Sequence, residues 1–94
     1  MEVSSRLARW IESEFPKSSA QRVLQELHGL PEALLGRQDP ERIQAALVLH
    51  TGDWRTFQQR LHLLRLDWRD ALVEADLANG DWPQRLDDVL GVGE

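Results

Sequence analysis

The stretch that decides the fold is Asp39-Pro40-Glu41-Arg42-Ile43-Gln44-Ala45-Ala46-Leu47-Val48-Leu49-His50. Aspartate followed by proline is a helix start. The carboxylate accepts from the free N–H groups of the first turn, and the missing proline N–H costs nothing there. The residues that follow put apolar side chains at 43 and at every position from 45 to 49. With about 3.6 residues per turn, such a run covers almost every direction around the helix axis. A helix apolar on nearly all sides must be buried on nearly all sides. The sequence therefore predicts a central helix over residues 40–50, with Leu47 fully inside and the remaining elements packed around it.

Working outward, punctuation is frequent and the periodicity between marks is helical; nothing alternates with period two for long enough to be a strand. Toward the N-terminus, Val3, Leu7, Trp10 and Ile11 share one face of a first helix, capped by Ser4 or Ser5 and stopped before Pro16. A second helix, capped by Ser18 or Ser19, carries Ala20, Val23, Leu24 and Leu27 inward, and Gly29 suits a left-handed residue after its end. Pro31 to Gly36 reads as one helical turn that brings Leu34 and Leu35 inward. Toward the C-terminus, Gly52 ends the central helix and Asp53 caps the next, whose inward face is Trp54, Phe57, Leu61 and Leu64. Asp67 caps a further helix with the stripe Trp68, Ala71, Leu72 and Ala75, closed by Asn79-Gly80. A break at Leu66-Asp67 is preferred over one long helix. Asp81 caps the last helix, with Pro83 in its first turn and Leu86, Val89 and Leu90 facing in; residues 91–94 are a frayed tail. The fold class is all-α: a single compact domain of five to six short helices, with N-terminal helices over about 4–29 and a helical core over about 40–90.

Composition excludes several classes of function. The chain has 94 residues and no cysteine, so disulfides, thiolate metal sites and cysteine nucleophiles are absent. No apolar run approaches the ~18 residues of a membrane span, and no secretory leader is visible, so no membrane partner is expected and a cytoplasmic location is. The three histidines, His28, His50 and His62, fall on three predicted helices without ligand spacing, so no metal or other cofactor is expected. His28 and His50 sit near helix C-termini, where a donor is welcome. No Gly-x-Ser-x-Gly and no phosphate-cradling loop occurs, and Asp87-Asp88 diverge around a helix, so no catalytic residue is nominated and the chain is not read as an enzyme.

Three Asp-Trp pairs, at 53–54, 67–68 and 81–82, recur at intervals of 14. Each is read as a helix-start device, the aspartate capping and the indole anchoring the first turn. The run Glu41-Arg42-Ile43-Gln44-Ala45-Ala46, then Gly52-Asp53, Asp67-Trp68-Arg69-Asp70 and Asp81-Trp82-Pro83, resembles a set of small uncharacterised all-helical bacterial proteins over residues 39–90. That resemblance implies a soluble helical fold and carries no activity, ligand or site residue with it.

Charge is uneven. The net charge is −5 overall, with −1 over residues 1–39, +2 over 40–66 and −6 over 67–94. Burying Trp54, Phe57, Leu61 and Leu64 must turn Arg55, Gln58, Gln59, His62 and Arg65 outward, and Arg69 extends that strip if the chain stays helical. Arginine and glutamine suit multi-point hydrogen bonding to carboxylates on another protein or on a second copy of the chain. The expected role is thus a small non-catalytic interaction, adaptor or regulatory module with this strip as the partner-binding face. A helix-turn-helix-like nucleic-acid module reading with residues 54–65 is the alternative, disfavoured by the acidic balance and by Asp53 and Gln58 at positions that the motif wants apolar. A ligand-binding protein or enzyme with a tryptophan-lined pocket is the second alternative. Internal pairing of these arginines with the acidic C-terminal third would neutralise the strip.

Overall fold

The computed structural model describes residues 1–35 and 38–91, the side chains of Leu34 and Leu35 excepted. Among the described residues there are six α-helices and one 3-10 turn, with no strand. They are α1 (Ser5–Glu14), α2 (Lys17–Gly29), the 3-10 turn (Glu32–Leu35), α3 (Pro40–Val48), α4 (Trp54–Leu66), α5 (Trp68–Glu74) and α6 (Trp82–Leu90). The Cα radius of gyration is 12.0 Å, close to the ~12 Å of a single folded domain of this length. The all-α architecture and the break between α4 and α5 follow the sequence reading.

The central helix is where the apolar run requires it. Every residue from Ile43 to Leu49 is buried, Leu47 completely so, and α3 packs against α1, α4, α5 and α6. The Asp39 side chain accepts from the N–H groups of Glu41 and Arg42, and Pro40 opens the helix. The helix ends two residues earlier than the predicted 50. Leu49 is extended, His50 takes φ 64°, and the Thr51 N–H returns to the Val48 carbonyl at 3.3 Å. This is a type II turn, which places a left-handed residue at its third position. Gly52 is left-handed as well, with φ 73°.

Three arginines fasten the outer helices to α3. The Arg6 guanidinium on α1 donates to Glu41 of α3 and to Asp87 and the Gly91 carbonyl at the end of α6. This pairing holds the Glu41 carboxyl below its ordinary range, chiefly through the hydrogen bonds from Arg6. Arg42 donates twice to the Leu77 carbonyl beyond α5, at 3.0 and 2.8 Å. Arg60 of α4 reaches the far end of α3.

Caps and stops depart from the reading in four places. Ser4 caps α1, with the Leu7 N–H donating to its hydroxyl. Neither Ser18 nor Ser19 caps α2, because Pro16, fixed in φ, starts the helix and its carbonyl accepts from the Ala20 N–H. Gly29 is the last helical residue of α2 and has no positive φ, so it is no left-handed cap. Asp53 and Asp67 cap α4 and α5, accepting from the N–H groups of Thr56 and Arg69. Asp81 stands at the N-cap position of α6 but caps nothing. Pro83 removes one N–H target, the Asp81 backbone lies at φ −86°, ψ 10° rather than extended, and the carboxylate instead accepts from Arg85 at 3.0 Å. Asn79-Gly80 does not close α5. The helix stops at Glu74 with Asp76 at φ 63°, the Leu77 N–H on the Leu72 carbonyl and the Asp76 N–H on the Val73 carbonyl, a Schellman closure with aspartate in the usual glycine place. On α6 the inward stripe is Trp82, Leu86 and Leu90 at steps of four, and Val89 is 44% exposed rather than facing in. The inward placement of Leu34 and Leu35, the helical reading of Gly36 and the tail 92–94 lie outside what is described.

Because Leu47 is fully enclosed, Leu47→Ala is expected to lower unfolding free energy by about 2–5 kcal/mol in urea denaturation. The same substitution at the exposed Leu66 is expected to cost less than about 1 kcal/mol.

Candidate partner-binding face

Helix α4 follows from its sequence. Asp53 accepts from the Thr56 N–H at 2.8 Å and from the Thr56 hydroxyl at 3.0 Å, and these bonds hold its carboxyl below the ordinary carboxylate range. Phe57, Leu61 and Leu64 then bury one stripe, and Trp54 is half-buried. Arg55, Gln58, Gln59, His62 and Arg65 are all exposed on the opposite face, as the reading required. Leu66, 71% exposed, continues the same face one turn beyond His62. Arg69 does not extend the strip, because the helix stops at Leu66 and the Arg69 guanidinium lies over the Trp68 ring at 5.3 Å.

Internal neutralisation of the strip does not occur. Among the described residues no ion pair involves Arg55 or Arg65. Three of the C-terminal acids pair elsewhere: Asp87 with Arg6, and Asp76 and Asp81 with Arg85.

The remaining arginine of α4, Arg60, was not legible. Arg60 is only 8% exposed, and its Nη1 donates to the carbonyls of Ala46 at 2.8 Å and Leu49 at 3.2 Å. The last turn of any helix leaves carbonyls without intrahelical partners, and the last turn of α3 is buried. Arg60 supplies the missing donors, and burial pushes its guanidinium below the ordinary arginine range. The available signal was its place on α4. Position 60 falls three residues after Phe57 and four before Leu64, on the inward side. Beside Arg60 is a surface cavity of about 240 Å³, lined also by Thr56, Gln59, Leu63 and Glu74.

Each indole of the three Asp-Trp pairs has an arginine on it. Arg22 lies 4.1 Å from the Trp54 ring centre, Arg42 lies 5.1 Å from that of Trp82, and Arg69 covers Trp68. Trp54 also stacks on Phe57 at 5.5 Å. Among the described residues the tryptophans of the three pairs are not brought together at any one surface cavity; Trp68 alone lines one, with Gln38, Arg42 and Leu72. The histidines stay apart on separate elements, all exposed, and neither the His28 nor the His50 ring bonds a helix carbonyl among the described residues. No group of three potential metal-ligating side chains occurs among those residues, and no helix there is long and apolar enough to cross a membrane.

Comparison with protein-family models, with curated proteins and with solved structures returns no match.

Arg60→Met is expected to cost about 2 kcal/mol in urea denaturation, the worth of charged hydrogen bonds to buried carbonyls. Arg55→Met on the exposed side is expected to stay within about 0.5 kcal/mol of the parent.

Proposed function

We propose that the chain is a small non-catalytic cytoplasmic interaction module that docks an acidic protein surface against the exposed face of α4. The observation that carries this reading is the solvent-facing strip of Arg55, Gln58, Gln59, His62 and Arg65, whose two arginines form no ion pair among the described residues. Six other arginines are engaged within the fold, Arg6 and Arg85 in ion pairs, Arg42 and Arg60 on carbonyls, Arg22 and Arg69 on indoles, while Arg9 stands exposed on α1. Two guanidinium forks about three helical turns apart, with two amides between them, can meet several carboxylates at once. The exposed Leu66 adds an apolar contact at the edge of the strip, and such contacts exclude water around polar pairs. Net charge −5 on the chain opposes the backbone of a nucleic acid.

The test is the double substitution Arg55→Glu with Arg65→Glu, with circular dichroism and urea denaturation showing the fold intact. In capture from extracts of the source cell, the parent is expected to retain a defined protein that the double variant loses, with retention falling as salt rises. Equal recovery by both proteins contradicts the reading. Salt-sensitive retention of duplex DNA instead of a protein would replace it with the nucleic-acid alternative.

A further inference from the structure

The cavity beside Arg60 gives the docking face a recognition point. Arginine carries five N–H donors. Nη1 of Arg60 uses its pair on the Ala46 and Leu49 carbonyls, and the donors on Nε and Nη2 have no hydrogen-bond partner among the described residues. Yet the side chain is more than nine-tenths buried, where unfilled charged donors are costly. Neither nitrogen is sealed from solvent, and Arg60 lines a cavity of about 240 Å³ together with Gln59, Thr56, Leu63 and Glu74. The volume suits one small side-chain terminus rather than a cofactor. Its polar lining is a fixed guanidinium, with the amide of Gln59 beside it. The only carboxylate there, Glu74, is exposed and acts on Arg60 through its charge without closing an ion pair.

We infer that this cavity receives a carboxylate side chain, aspartate or glutamate, from the acidic partner that docks on α4. The guanidinium is already oriented by the end of α3, so little freedom is lost when its remaining N–H groups form a fork on the incoming carboxylate. Gln59 belongs both to the exposed strip and to the cavity, which places the pocket at the margin of the docking face. The inference rests on the docking reading for the source of the carboxylate, not for the chemistry of the pocket.

Sodium acetate is the probe, titrated at constant ionic strength against sodium chloride into the full chain labelled with ¹⁵N-arginine. The expected result is a saturable shift of the Arg60 Nε–H resonance with acetate and none with chloride, while Arg55 and Arg65 shift little. Glu74→Gln, which removes the resident carboxylate and leaves the capping bonds of Arg60 in place, is expected to tighten acetate binding about threefold. No saturable Arg60 shift in either protein overturns the inference, as does an equal response to chloride or a stronger one to inorganic phosphate. This readout is separate from partner capture. If acetate binds at Arg60 while charge reversal at 55 and 65 leaves capture unchanged, the docking face is wrong and the pocket stands. If capture depends on the strip but acetate leaves Arg60 unmoved, the pocket alone fails.

Discussion

A helix sealed inside a domain of this size has to find partners for the carbonyls of its last turn, and the fold depends on how α3 solves that. Ala46 and Leu49, whose carbonyls are among these, are both buried. Thr51 closes the Val48 carbonyl through both its N–H and its hydroxyl. Arg60 closes the other two from α4. The start of α3 is settled by Asp39 and Pro40, and by Arg6 on Glu41. With these groups satisfied, the apolar residues between are covered by α1, α4, α5 and α6. Among the buried side-chain polar atoms of the described residues one lacks a partner: Gln44 donates from Nε2 to the Glu2 carbonyl while its Oε1 has no donor.

The same arrangement sorts the charges. Arg6 and Arg85 draw Asp87, Asp76 and Asp81 into pairs, Arg42 and Arg60 turn to backbone carbonyls, and Arg22 and Arg69 cover indole faces that would otherwise meet water. What remains on α4 is a short strip of donors on a rigid helix. Rigid placement matters for recognition because the side chains are presented without first ordering the backbone. The strip and the buried arginine thus arise from one helix whose inward side supports α3 and whose outward side faces solvent.

The central helix was legible because an unbroken apolar run has only one physical outcome, and the outward set on α4 was legible because its inward stripe is regular. Asp53 and Asp67 were legible as caps from local chemistry alone. The misses have two causes, contacts distant in sequence and local backbone geometry. Nothing near Arg60 announces that the carbonyl of Leu49 will lie beside it, and nothing near Arg6 announces Asp87. Asp81 looked like its two predecessors, but Pro83 and a compact backbone angle turned its carboxylate to Arg85. His50 and Asp76 are left-handed and reverse the chain ahead of Gly52 and Asn79-Gly80, which the sequence marks as the helix stops, and the neighbouring Leu49 and Leu77 are buried.

Native-state hydrogen exchange tests the primacy of α3 most directly. If the other helices depend on it, the amides of Leu47, Val48 and Leu49 open only when the whole molecule unfolds. Their exchange free energies should then equal the unfolding free energy from urea denaturation, with the ends of α1, α2 and α6 opening at lower cost. Exchange of the α3 amides through a cheaper local opening, while α1 or α6 stays protected to the global limit, would contradict a fold organised around that helix.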